Sequence, residues 1–265
     1  MRKKVLNVFR YVFLSIVSFI SVFPFFWMIV AATNKSVEVT KGTMIPGTYF
    51  FENLKTLLAS DLQYVNAFKN SIIIAIVTTA LAMVVSSAAV FNFIFLSMMV
   101  PFAALMVPLF RLFSKFSNMG PLKVIALNTP MAVIIIAIAT AFLIFFFKQN
   151  AQTFPKELIE AARIDGLSEV KIFIKIFMPT MKSTYAAAIV VTFMTSWNNY
   201  LWPLIALQSP EKRTLPLVLS AMGSSYTPDY GMMMTAVVIA TLPTALIFFV
   251  MQKQFVAGMT GSVKG

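Results

Sequence analysis

The chain has 265 residues, of which 59% are hydrophobic and 11% charged, with a formal net charge of +12, mean hydropathy +0.86 and neither cysteine nor histidine. A soluble domain of this size cannot bury so much apolar surface, and the two missing residue types exclude disulfides, thiolate metal sites and nucleophiles paired with histidine. The 21 Lys and Arg residues lie between apolar runs rather than on one face with interleaved aromatics, which points to membrane topology and not to nucleic acid.

A bilayer core is about 30 Å thick and offers no partner to an unpaired backbone group, so each span needs about 20 apolar residues in a helix. Six stretches meet this requirement, at 9–32, 70–90, 91–110, 124–147, 183–206 and 233–252. The basic N-terminus Met1-Arg2-Lys3-Lys4 and the long apolar stretch after it read as an uncleaved first span rather than a signal peptide, since no small-residue cleavage site follows. With the N-terminus inside, twelve of the basic residues fall on cytoplasmic segments and nine on outer ones, a shallow bias in the expected direction. The outer segment from Asn34 to Gln63 carries Gly42, Pro46, Gly47 and Asn53, which predict an ordered loop with short surface helices.

From Ser71 to Phe110 there are forty residues without a charge, and no polar turn separates the second span from the third. Two antiparallel helices cannot reverse inside hydrocarbon without a satisfied turn. The pattern therefore predicts that a cytoplasmic loop is missing between Val90 and Phe91, with one long tilted or re-entrant helix as the competing reading.

The segment 153–182 is amphipathic and charged. Thr153 is placed to cap a helix whose first turn holds Pro155 and Glu157, and Gly166 to end it; Ser168 caps a second helix that Pro179 stops. Leu158, Ala161, Ala162 and Asp165 recur at spacings of three and four and so share a face, with Lys156, Glu160 and Arg163 around it. A small-residue face admits the groove of another protein, and Glu160 and Asp165 offer carboxylates to basic groups on its rim. A helix lying on lipid headgroups is the alternative, although such helices usually set Lys or Arg opposite bulky apolar side chains.

In the fifth span, Trp197, Asn198, Asn199, Tyr200 and Trp202 bring amides and aromatic faces together, the pairing that sugar hydroxyls and C–H faces require. The alternative is an interfacial aromatic belt with the Asn pair bonding neighbouring helices. Trp202 suits the belt better, and Asn198 and Asn199 the pathway. The run Met232-Met233-Met234 reads as packing, because soft-metal transport without Cys or His is poorly supported.

Glu160-Ala161-Ala162, Gly166 after three further residues, then Ile176 and Pro179 resemble the EAA loop of permease subunits in bacterial ATP-binding-cassette importers; Met178 stands where the family usually has Leu. The stretch Thr195–Leu204 and the tail Gln254–Gly265 resemble the shorter, six-span subunit of the maltose-type carbohydrate-uptake branch. The resemblance implies an all-α membrane protein of the type I ABC importer permease fold, with six transmembrane helices and a cytoplasmic coupling helix, forming one domain over 1–265. It implies that Glu160, Ala161, Ala162, Asp165 and Gly166 dock an ATPase, and that Trp197, Asn198, Asn199 and Tyr200 line the translocation pathway. The implied partners are a second permease subunit in a heterodimer, two copies of a cytoplasmic ATP-binding subunit, an extracellular solute-binding protein and a sugar. Both termini would be cytoplasmic. No cofactor is implied for this chain, which lacks a Gly-rich phosphate loop; ATP and Mg belong to the partner ATPase. A polyamine, phosphonate or amino-acid cargo on the same fold remains the first alternative, and a membrane-embedded enzyme the second.

Overall fold

The computed structural model describes residues 2–89 and 101–260, and among these every regular element is helical. In chain order they are α1 (Arg2–Ala32), α2 (Ser36–Thr40), α3 (Phe50–Ala59), α4 (Tyr64–Ala88), α5 (Phe102–Phe116), α6 (Pro130–Ala137), α7 (Ala141–Ala151), α8 (Lys156–Ile164), α9 (Glu169–Ile172), α10 (Met178–Thr180), α11 (Lys182–Trp197), α12 (Leu201–Ala206), α13 (Leu215–Gly223) and α14 (Tyr230–Thr260).

Among the described residues, four stretches are long and apolar enough to cross a bilayer: Asn7–Ala32, Tyr64–Ala88, Pro130–Ala151 and Tyr230–Lys253. A fifth arises only if Glu169–Thr180 and Lys182–Trp197, which meet at 82°, are taken together. The third predicted span, 91–110, begins outside the described residues; its described part belongs to α5, whose 15 residues are too few to cross alone. The 90/91 junction itself lies outside the described residues. The fourth predicted span starts later than expected, at Pro130, because Gly120–Ile125 forms a 3₁₀ turn and Thr129 caps α6 by accepting the Ala132 N–H. The fifth, predicted as one helix over 183–206, is two: α11 ends at Trp197 and α12 begins at Leu201.

The chain divides into two compact units, Met1–Tyr64 with Val218–Leu242, and Val65–Leu217 with Pro243–Gly265. In the first unit, the segment 34–63 holds α2 and α3, the short helices that its turn formers predict. Most of α1 is exposed, with Phe9, Tyr11, Phe13, Phe19 and Phe25 bare, as a lipid-facing helix can be. Only its end, Val30 to Ala32, is buried. There the backbone is held by amides: Asn53 Nδ2 donates to the Ala32 and Asn34 carbonyls at 2.9 and 3.0 Å, and Asn34 Nδ2 to Val30 and Ile45 at 3.0 and 2.9 Å. Thr235 Oγ1 adds a bond to the Ala32 carbonyl, and Tyr64 Oη donates to Ala236. A residue leaving a helix in an apolar setting strands its last carbonyls, and these side chains take them up.

Among the described residues of the second unit, two apolar clusters form around the interrupted helices. One gathers Ile74, Phe113, Ala132, Val133, Ile134, Trp202, Ala206 and Leu207. The other gathers Ala82, Met83, Leu143, Phe147, Phe154, Met181, Tyr185 and Ala188. Side-chain bonds to backbone hold the strained points between helices. Asn128, at φ +63, pairs with Ser209 through both ends of its amide, and Asn70 Nδ2 donates to the Glu211 and Arg213 carbonyls. The α6/α7 run is interrupted at Ile138–Thr140; Thr140 caps α7 by accepting the Leu143 N–H, and Ser86 Oγ donates to the freed Ile138 carbonyl at 3.0 Å. An interrupted span is tolerated when the released backbone groups find such partners.

Candidate functional site

The charged segment forms a helix-turn-helix, with corrections at both ends. Thr153 does not cap α8: its hydroxyl donates to Asn150 at 2.8 Å, and Pro155 stands at the N-cap. The reason is local, since a residue preceding proline is driven out of helical geometry and Phe154 is drawn into the core instead. Gly166 ends the helix as expected, at φ +75 with open space around its Cα. The Leu167 N–H reaches the Ala162 carbonyl and the Gly166 N–H the Arg163 carbonyl, each at 3.0 Å, which closes a Schellman motif.

Ser168 occupies the N-cap of α9 in an extended conformation but makes no side-chain cap bond. Pro179 does not stop the second helix. A π turn over Phe173–Phe177, closed by the Met178 N–H on the Phe173 carbonyl, lets the helix continue, and Pro179 falls in the first turn of α10, where no donor is needed. The direction changes one step later, at Met181 (φ −92°, ψ 25°).

The five residues of the predicted docking face separate. Glu160, Ala161, Asp165 and Gly166 are exposed, together with Leu158. Ala162 is turned inward, at 3% exposure, with Ile159 half-buried beside it. Helical geometry explains the split: one step along a helix rotates by about 100°, so neighbouring alanines cannot face the same way. Ile164, at the end of α8, is 86% exposed. Such a residue is an unusual apolar projection on a polar segment, and the sequence reading missed it because its position is off the Leu158–Asp165 stripe.

The inward side ties the segment to the second core. Phe154 lies 5.3 Å from Phe177 between ring centres, Phe173 stacks on Phe177 at 5.7 Å, and Phe147 packs against Tyr185 at 4.9 Å. Ile159 of α8, and Phe154 just before it, thus pack with side chains of α4, α7 and α11.

Across the Gly166 turn, Arg163 and Glu169 form a two-point ion pair, Nε to Oε1 at 2.7 Å and Nη2 to Oε2 at 3.2 Å. The guanidinium holds the Glu169 carboxyl below its usual range, chiefly by the hydrogen bond, and the carboxylate raises Arg163 in return.

Among the residues that the sequence predicts for a pathway, Trp197 is buried, stacked on Phe193 at 5.8 Å and edge-on to Phe68 at 5.7 Å. Asn198 is the C-cap of α11, exposed, its Nδ2 donating to the Met194 carbonyl at 2.9 Å. Asn199 and Tyr200 are half-buried in the interruption between α11 and α12. Trp202 does not belong to an interfacial belt. It is 1% exposed, its Nε1–H donates to the Ala132 carbonyl at 2.9 Å, and Phe113 packs edge-on at 5.6 Å. Burial of the indole is permitted because its N–H, which would otherwise be stranded, is satisfied by that carbonyl.

A model of the family "Binding-protein-dependent transport system inner membrane component" matches residues 71–261. The chain is 45% identical to the lactose transport system permease protein LacG of Rhizobium radiobacter, over 100% of this chain and 98% of that protein. It is 36% identical to the arabinooligosaccharides transport system permease protein AraQ of Halalkalibacterium halodurans, over 94% and 93%. In fold it resembles a chain of a bacterial ABC transporter involved in the import of the acidic polysaccharide alginate, with a TM-score of 0.75 at 19% identity, covering 96% of this chain and 98% of that one.

Proposed function

The chain belongs to the family of binding-protein-dependent transport system inner membrane components, and from that premise we propose that it passes a sugar or oligosaccharide, delivered by an extracellular binding protein, into the cell by ATP-driven alternating access. The observation that carries the cargo reading is the full-length similarity to a lactose permease at 45% identity. The spans contain no charge deep within them that a cationic or anionic cargo would call for.

The working unit is the whole chain, 1–265, with six spans, both termini cytoplasmic and a second permease subunit completing a heterodimer around a central pathway. Two copies of a cytoplasmic ATPase supply the nucleotide chemistry, with ATP and Mg held there. The segment from α8 to α10 is the coupling helix. Glu160, Ala161, Asp165 and Gly166 present the docking face, with Ala162 seating it against the chain's own core. Its charged exposed side and its inward aromatic contacts support this role: closure of the ATPase pair presses α8, and the core that holds the Phe154–Phe177 and Phe147–Tyr185 pairs passes the displacement to α7 and α11. Asn198, Asn199 and Tyr200 stand where a helix is interrupted, which gathers amide and hydroxyl groups of the kind that sugar hydroxyls bind. Trp197 contributes by fixing the end of α11 through its stacking on Phe193.

The test uses the complete transporter in proteoliposomes. Glu160→Lys puts a like charge against a basic rim, and Gly166→Pro demands φ near −65° where the chain has +75°. Both variants are expected to assemble yet lose uptake and binding-protein-stimulated ATP hydrolysis. Wild-type values for both would refute the coupling assignment. Binding of lactose and arabinooligosaccharides to the co-purified binding protein tests the cargo, and failure of both sugars to bind would reject it.

A further inference from the structure

We propose that the Arg163–Glu169 ion pair is a clamp that sets the angle between α8 and α9, and so positions the docking face; the inference rests on the coupling assignment above. Three observations lead to it. Within the turn itself little else fixes the heading of α9. Gly166 sits at φ +75° and Ser168 is extended at ψ 155° with no cap bond from its hydroxyl, so the near end of α9 is held by this pair while its far end is held by the buried Ile172 and the helix that follows. The Schellman closure ends α8 but leaves the heading of α9 open.

The pair spans this turn and is bidentate. Two parallel bonds, at 2.7 and 3.2 Å, from a planar guanidinium to a planar carboxylate restrict orientation as well as distance. A single-point bond, such as a lysine would make, restricts distance alone.

The pair is also exposed, 57% and 70% at the two side chains. Exposed pairs add little to global stability, so its placement is better explained by geometry than by folding. Arg163 has a second carboxylate within reach along its own helix, since Glu160 is three residues back. By engaging Glu169, it leaves the Glu160 carboxylate without an ion pair among the described residues and available to a basic rim. Arg163 and Glu169 are thus positioning residues: they act through the attitude of α8 and by leaving the Glu160 carboxylate unengaged by Arg163.

The experiment is a double-mutant cycle, Arg163→Ala, Glu169→Ala and both together, with Arg163→Lys as a fourth variant, in the complete transporter reconstituted with its binding protein. The readouts are radiolabelled lactose taken up per phosphate released, and complex assembly by size-exclusion. Each single alanine is expected to lower uptake per phosphate by roughly two- to five-fold, the scale of an exposed pair, with assembly unchanged. The double variant should be no worse than either single, because the second substitution removes nothing further. Arg163→Lys should resemble Arg163→Ala, since it keeps the charge and loses the fork. Wild-type ratios in the singles would overturn the clamp, and so would effects that multiply in the double, which would mean that each side chain touches the ATPase on its own account. Glu160→Lys in the same preparation separates the two levels. If it uncouples while the clamp variants do not, only the clamp fails; if it too behaves as wild type, the coupling assignment fails.

Discussion

Gly231→Ala is the substitution whose cost can be worked most directly from the geometry. A Cβ at this position would stand 2.7 Å from the Asn34 carbonyl oxygen and 2.9 Å from both amide atoms of Asn53. The first is backbone and cannot rotate away. The second is the amide that satisfies the Ala32 and Asn34 carbonyls. To make room, the start of α14 must shift by several tenths of an ångström or Asn53 must leave its two acceptors. Overpacking of this kind costs about 1–3 kcal/mol, and loss of the Asn53 bonds adds about 1 kcal/mol for each. Where both occur, the total of about 3–5 kcal/mol should lower the unfolding midpoint of the purified complex by roughly 6–20 °C, at about 2–4 °C per kcal/mol for a chain of this length. Gly223→Ala is the control: the nearest atom to its Cβ would be Met233 Sδ at 3.9 Å, an ordinary contact. Its midpoint should be unchanged or slightly raised, since alanine outranks glycine in a helix. A fluorescence-monitored melt of both variants checks this, and equal midpoints would refute the steric argument.

Trp202→Phe removes the donor to the Ala132 carbonyl while keeping an aromatic ring against Phe113, so it should cost about 1–3 kcal/mol in the same melt. The chain has no cysteine, which makes single-cysteine labelling clean. Ala161→Cys and Ile164→Cys should react with an impermeant maleimide only from the cytoplasmic side, Tyr226→Cys only from the outside, and Ala162→Cys slowly and only from the cytoplasmic side; the reverse sidedness would invert the proposed topology. The pH dependence of the clamp follows from Glu169, whose carboxyl is lowered in the folded chain. A lowered carboxyl contributes above its unfolded value, about 4.3, and loses that contribution only as pH falls through the folded value. Uptake per phosphate should therefore show no clamp-dependent change between about pH 8 and 6, whereas raising salt from about 0.05 to 0.5 M should narrow the difference between wild type and Glu169→Ala.

Much of the architecture was legible in one dimension. Hydrophobic run length announces a span because lipid leaves the backbone no partner but itself, and the first, second, fourth and last spans follow from that rule with small changes at their ends. Gly166 was readable as a helix end because only a residue without Cβ adopts φ +75° freely. The EAA pattern carried the family because it couples residue type to that geometry.

Tertiary structure decided what composition leaves open. A run such as 183–206 has the length and average hydropathy of one span, and that average does not reveal that it breaks after Trp197; the break persists because Asn198 caps α11 and Trp202 is anchored to Ala132 across the core. Trp202 looked like an interface residue because a tryptophan near a span end commonly is, and only the position of a carbonyl seventy residues away shows otherwise. Ala161 and Ala162 are the same residue type in adjacent positions, yet one is exposed and the other buried. Sequence sets the angle between them on a helix, whereas the direction that counts as inward depends on where Phe154, Phe177 and Tyr185 come to lie.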